Sequence, residues 1–126
     1  MGLVRSKGTA VEMAVRRIVH ALGYRYRLHS SALPGRPDMV LPSKRAVIFV
    51  HGCFWHRHAR CRLARLPKSR LDFWVPKLEA NRARDVRNIR KLRRAKWRPL
   101  VVWECELSDP AALKLRINRF LTAKGE

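Results

Sequence analysis

The sequence predicts an α/β domain in which a central mixed β-sheet is flanked by helices, with elements in the order α-β-β-β-α-β-α. Three observations carry that expectation. Stretches with helical apolar spacing stand at both ends and in the second half of the chain, and short strand-like runs lie between them. AVIFV (46–50) is a continuous apolar run of the kind found in a strand buried on both faces. Helices laid over a mixed sheet are the economical way to bury both kinds of face. At 126 residues, with 47% hydrophobic content and no repeat or linker, residues 1–126 read as one domain.

Each element has its own signal. Thr9-x-x-Glu12 reads as a capping box opening a helix whose apolar side carries Met13, Ile18, Val19 and Leu22, with Gly23 stopping it. YRYRLHS (24–30) alternates apolar and polar residues, the period of a half-buried strand. SALPGRP is a loop, because its prolines and glycine interrupt regular structure. DMVL is a short strand, PSKR a turn, and AVIFV the central strand. A long helix is expected over 70–95, interrupted near Pro76, with Leu78, Val86, Ile89 and Leu92 inward and arginines at 82, 84, 87, 90, 93 and 94 outward. RPLVVWECE (98–106) is the last strand, and 109–122 closes the chain as a helix presenting Leu113, Ile117 and Leu121.

Charge narrows the function classes. Twenty-nine Lys and Arg against nine Asp and Glu give a net charge of +20. A surface so one-sided attracts polyanions, and its Arg-rich composition suits bidentate phosphate contacts, which points to nucleic acid. The N-terminus lacks the apolar core of a signal peptide, and no run approaches the length of a membrane span. A membrane partner is therefore not expected. Three cysteines are an odd number for a disulfide framework, and favour a reducing cytoplasm with thiolate ligands.

The most concentrated chemistry lies in VIFVHGCFWHRHARC (47–61). Cys53, His58 and Cys61 are closely spaced metal-ligand types, and Cys105 stands at the far end of the last strand. If that strand lies beside 46–50, the four residues form a closed Cys3His set, which favours tetrahedral structural zinc. The competing reading is three buried thiols acting as small hydrophobes, against which Arg60 and Arg62 flank Cys61. With His58 in that set, His51 and His56 remain just past a strand end, where open α/β sheets place their sites. Asp38 opens the neighbouring strand after PGRP. A carboxylate suits Mg²⁺, and histidine titrates near neutrality, so the three fit phosphodiester hydrolysis. Asp38 equally suits a cap or an Arg partner. Glu12 is accounted for by its capping box, and Asp85 by ion pairs along its helix, although Asp85 also stands beside Val86 and so suits a position toward the sheet. Phe54 and Trp55 suit either packing over the zinc loop or wedging into a base stack.

Taken together, these stretches closely resemble the very short patch repair endonucleases, the Vsr family of DNA mismatch nicking enzymes. VRSK, TAVEM, LGYRYRLH, LPGRPDMVL, VIFVHGCFWHRH, PKSRLDFW, NRARD and VVWECE follow the family in order over nearly the whole chain, with HGCFWH and PGRPD the most specific. The resemblance implies a restriction-endonuclease-like core of the PD-(D/E)xK type. It implies Asp38 as a Mg²⁺ ligand with the backbone carbonyl of Val50 beside it, His51 and His56 as catalytic histidines, and Glu12 and Asp85 as assisting groups. Phe54 and Trp55, with Met13 or its neighbours, would lie at the mismatch, and Cys53, His58, Cys61 and Cys105 would hold the structural Zn²⁺.

Two departures stand out. The chain begins close to the first matched motif, so a long DNA-embracing N-terminal arm is not expected, and with it strict clamping. FVH occupies the slot where the wider nuclease superfamily carries its ExK lysine, as is normal for this branch. The expected function is Mg²⁺-dependent nicking of double-stranded DNA at T:G mismatches by a cytoplasmic, nucleoid-associated monomer, with mismatch-repair proteins as candidate further partners. The alternatives are a nuclease of the same fold with another or a relaxed target, and a non-catalytic zinc-stabilised DNA-binding module.

Overall fold

The computed structural model describes residues 2–123. Helix α1 (Gly2–Ala21) is followed by strands β1 (Arg27–Leu28), β2 (Met39–Leu41) and β3 (Ala46–His51). Helix α2 (Leu71–Arg94), strand β4 (Arg98–Trp103) and helix α3 (Pro110–Thr122) complete the chain. The order is the expected one, and the sheet is mixed. Strands lie in the order β1-β2-β3-β4, antiparallel except for the parallel β3–β4 pair. A parallel pair needs a crossover, and α2 supplies it.

Helices α1 and α3 cover one face of the sheet. Val15, Val19, Ile48, Val102, Leu113 and Ile117 are buried together there. The opposite face, with Val40, Val47 and Phe49, packs against Leu92 of α2 and its half-buried neighbour Ile89. Strand β3 is therefore enclosed on both faces, which explains its unbroken apolar run. Full burial of a side chain such as Ile48 contributes about 1.5–3 kcal/mol.

Several local expectations are corrected. Helix α1 begins well before Thr9, so Thr9 lies in the helix interior and Glu12 is not part of a capping box. The side chain of Thr9 lies outside the described residues. The inward line of α1 is Val11, Val15 and Val19, a four-residue repeat that leaves Met13 exposed. Only Arg27–Leu28 of the expected first strand pairs, opposite Val40 and Met39 of β2. Helix α2 is continuous through Pro76, which lies near its start, where the ring removes one backbone hydrogen bond without ending the helix. The last strand stops at Trp103, and Glu104–Ser108 turn away as a short 3-10 helix carrying Cys105. Asp109 then caps α3 by accepting from the amide of Ala112.

The inward face of α2 is the most informative correction. Leu78 and Leu92 are buried as expected, but Val86 is exposed. Between the two leucines the half-buried positions are Asn81, Asp85, Asn88 and Ile89. These positions follow helical spacing, so α2 turns a mostly polar stripe toward the end of β3. The arginines at 82, 84, 87, 90, 93 and 94 are exposed, as expected.

Candidate active site and metal centre

Parallel pairing places His51 opposite Trp103, so the residues after β3 and β4 leave the sheet side by side. Cys53 and Cys105 meet there. The Nδ1 of His58 lies 3.6 Å from Cys53 Sγ and 3.4 Å from Cys105 Sγ. Ligand atoms of Cys53, His58, Cys61 and Cys105 all lie within 4.8 Å of one another. A tetrahedral zinc site with ordinary Zn–S and Zn–N bonds has S···N edges of about 3.6 Å, so this donor set fits the metal. Burial pushes the Cys53 thiol up to about 12. Cys105 is raised as well, so these two thiols are poorly suited to carry charge unless a cation shares it, whereas Cys61 is lowered. Glu104 Oε1 accepts from the Cys53 amide, and Trp103 stacks on the His58 ring at 4.0 Å. All three cysteines are free thiols.

A second cluster adjoins the first. His51, buried at the end of β3, stacks on His56 with ring centroids 3.8 Å apart. His56 Nδ1 lies 2.5 Å from Asp85 Oδ2 on the polar stripe of α2. That contact sets aside the reading of Asp85 as a partner for helix arginines. A carboxylate there favours a proton on Nδ1 and leaves Nε2 available to another partner. His51 is held well below the ordinary histidine value, at about 4, by burial and then by His56. It is neutral at physiological pH. Its Nδ1 is buried without a hydrogen-bond partner among the described residues. Beside it, Phe49, His51, Asp85, Asn88 and Ile89 line a void of about 10 Å³, close to the room one water needs.

Asp38 is placed by the loop before it. Gly35 has φ +78°, and a Cβ there would lie 3.1 Å from both Asn88 and the Phe49 ring. Glycine is thus required for the PGRP loop to pack between α2 and β3. Asp38 Oδ2 accepts from the Val50 amide at 2.6 Å, tying the carboxylate to the residue before His51. Its other oxygen faces Glu12 and His29: Asp38 Oδ1 lies 4.0 Å from His29 Nε2, which lies 2.8 Å from Glu12 Oε2. Glu12 also pairs with Arg16. Burial raises the Asp38 carboxyl to about 6, and the carboxylate of Glu12 adds to the shift. Two half-buried carboxylates turned toward each other suit a divalent cation, which would neutralise both.

Phe54 and Trp55 are not isolated rings. They meet edge to face at 5.2 Å, and both pack on Trp74 of α2, at 5.4 and 5.7 Å. Asn81 donates to the Trp55 carbonyl. Every candidate residue except Met13 thus belongs to one of these four groups at one end of the sheet. Met13 is exposed on α1, next to Arg16.

Residue-by-residue reasoning missed His29, Trp74, Asn81, Trp103 and Glu104. The stripe on α2 has helical spacing in the sequence, but its central members are polar and read as surface. His29 falls at the end of an alternating run, and only the β1–β2 register brings it to Asp38.

Comparison with known proteins bears on the whole arrangement. Residues 1–62 match the family model for DNA mismatch endonuclease Vsr. The type II nicking enzyme V.XorIIP of Xanthomonas oryzae is 59% identical over 96% of this chain and 88% of its own. The DNA mismatch endonuclease Vsr of Escherichia coli is 42% identical over 99% of this chain and 83% of its own. The chain belongs to the Vsr endonuclease family. Another relative of this Vsr protein, the type II nicking enzyme V.NmeAIP of Neisseria meningitidis, is 40% identical over 94% of the chain and 84% of its own. Among solved structures, the catalytic domain of the homing endonuclease I-Bth0305I superposes with a TM-score of 0.59 at 20% identity, covering 86% of this chain and 90% of that one. That likeness shows a shared nuclease fold, restriction-endonuclease-like as expected. No helix of this Vsr protein among the described residues is long and apolar enough to cross a membrane.

Proposed function

We propose that this protein is a Mg²⁺-dependent endonuclease that nicks one strand of double-stranded DNA at a T:G mismatch. One observation carries the reading: the Asp38 carboxylate and the His51–His56–Asp85 group converge on the end of β3, through the Val50 amide on one side and the stacked rings on the other. A bare DNA-binding module has no use for a carboxylate held at raised pKa beside an oriented histidine. Nicking and a mismatched target are supported by the relatives named as nicking enzyme and DNA mismatch endonuclease. The T:G pair is what the resemblance to the very short patch repair endonucleases implies.

Asp38, with Glu12 and the Val50 backbone carbonyl, would hold Mg²⁺ through hard oxygen donors. Bound there, the cation supplies charge neutralisation at the scissile phosphate and acidifies a water. His56, oriented by Asp85, presents Nε2 to take a proton from the attacking water or give one to the leaving oxygen. His51, buried and neutral, holds the His56 ring in its stacked position. Zn²⁺ on Cys53, His58, Cys61 and Cys105 would fix the loop that carries His56 and the aromatic pair. Phe54 and Trp55, backed by Trp74, would enter the base stack at the mismatch, with Met13 of α1 nearby. The exposed arginines of α2 supply phosphate contacts. The protein would act as a single-domain monomer on nucleoid DNA in the cytoplasm, in concert with mismatch-repair proteins.

The test is a nicking assay on closed duplexes that differ by a single T:G pair, with Mg²⁺ or with chelator. Nicking confined to the mismatched duplex and to Mg²⁺ is expected. Equal cutting of matched DNA would transfer the reading to a relaxed nuclease of the same fold. Tight binding without cutting of any substrate would leave only the binding module.

A further inference from the structure

We propose that His29 is a third protein ligand of the divalent metal at Asp38, and that its nitrogen tilts this site toward Mn²⁺ relative to one built from oxygen alone. The inference rests on the reading of Asp38 as a metal ligand.

The placement of His29 is set by the backbone. Leu28 pairs with Met39, and the next amide, that of His29, donates to the Asp38 carbonyl at 3.1 Å. Beyond that bond the His29 backbone turns with φ +46°, and its ring lies over Glu12 and Asp38. The separations suit a shared ion. Six-coordinate Mg²⁺ or Mn²⁺ with bonds of about 2.1 Å has adjacent donors roughly 3.0 Å apart and opposite donors roughly 4.2 Å apart. His29 Nε2 lies 2.8 Å from Glu12 Oε2 and 4.0 Å from Asp38 Oδ1, near these two limits. One atom each of Glu12, His29 and Asp38 falls in a single set within 4.8 Å.

Chemistry then distinguishes His29 from a simple ion-pair partner. A salt bridge to Glu12 would be satisfied by any cationic side chain, whereas an imidazole nitrogen is a borderline donor that Mg²⁺ accepts poorly and Mn²⁺ more readily. Half of the His29 side chain is exposed, at 51%, so its removal leaves the core intact. The other histidines at this end of the sheet are engaged elsewhere, His51 and His56 with each other and with Asp85, and His58 with the cysteine cluster.

The experiment uses the full zinc-loaded chain without DNA. Mn²⁺ is titrated by calorimetry, and the bound ion is examined by pulsed electron paramagnetic resonance for coupling to nitrogen. The intact protein should show a nitrogen coupling. His29→Ala should lose it, weaken Mn²⁺ about tenfold and weaken Mg²⁺ far less, with zinc content and thermal melt unchanged. His29→Asp should restore affinity with the preference moved to Mg²⁺. An unchanged coupling and Mn²⁺ affinity in His29→Ala would overturn the inference. If Asp38→Asn still abolished binding in that case, the parent reading of the site would survive. Full Mn²⁺ binding by Asp38→Asn would instead overturn both.

Discussion

The two candidate ligand clusters at the end of the sheet stand side by side and differ in donor number and hardness. Cys53, His58, Cys61 and Cys105 supply four borderline or soft donors, enough to close a tetrahedron and leave no position for water. Glu12, His29 and Asp38 offer three donors, mostly oxygen, which could occupy only one side of a six-coordinate ion and would leave room for water and a phosphate. The first cluster ties a loop to the ends of two strands. The second lies where α1, the PGRP loop and β3 meet. The lesson is that donor count and hardness alone distinguish a set suited to hold a fold from one suited to open-site chemistry.

The comparison can be broken most forcefully on the closed side. Replacing Cys105 by Ser should release about one equivalent of zinc and cost several kcal/mol of stability, because binding energy in such a site is folding energy. Metal analysis and a thermal melt read both effects. Zinc retained at full occupancy would remove Cys105 from the set.

On the open side the same kind of change should leave the fold standing. Asp38→Asn is expected to lower nicking by about a thousandfold, the several kcal/mol that a bound cation supplies. It should leave DNA binding intact and stabilise the zinc-loaded protein at pH 7.5 in the absence of Mg²⁺. The Asp38 carboxyl is raised to about 6 from 3.8, so the folded state holds the extra proton between those values. Its contribution is most favourable below pH 4 and is lost as pH rises through 6, a cost of at most about 3 kcal/mol that Asn removes. His51 has the opposite sign. Its value falls to about 4 from 6.5, so its contribution is full above pH 6.5 and is lost as pH falls toward 4. The two slopes nearly cancel between pH 4 and 6. Denaturant melts of zinc-loaded Asp38→Asn should show stability falling more steeply on acidification than in the parent. His51→Gln should show it rising. Parallel curves for all three proteins would refute this assignment.

Asp85→Asn should reduce nicking by about a hundredfold, the lower end of what a positioned proton-transfer group contributes. Metal content and the melt should not change, since Asp85 touches neither donor set. A rate within threefold of the parent would show that His56 does not need its tautomer fixed. The smallest effect is expected from Trp55→Ala, which should lower the preference for mismatched over matched duplex by about 1–3 kcal/mol. Competition binding measures it, and a uniform loss on both duplexes would make Trp55 a packing residue for Trp74.

Much of the site could be anticipated because its chemistry sits in one short segment behind an apolar strand. The Cys3His set needed only that β4 lie beside β3, which the strand pattern allowed. The fold was similarly accessible: β3 and the inward residues of α3 follow simple periodicities. Helix α2 was harder. Its interior positions at Asn81, Asp85 and Asn88 are polar and face the histidines and loop at the end of β3, and periodicity rules treat polar residues as surface. Glu12 was misread for a related reason. A capping-box pattern describes a helix start, and α1 starts earlier, which frees Glu12 to face Asp38 and His29.

By itself the sequence determined the element order, the buried central strand, the positive charge suited to DNA and the identity of the principal candidate ligands, all local or compositional properties. Only the tertiary structure decided which ligands share a site. His29 reaches Asp38 through strand register, Asp85 reaches His56 through the packing of α2, and Trp74 reaches the aromatic pair through the zinc loop. Those contacts join residues far apart in the chain, and their distances are fixed by how helices and strands pack, which no local pattern encodes.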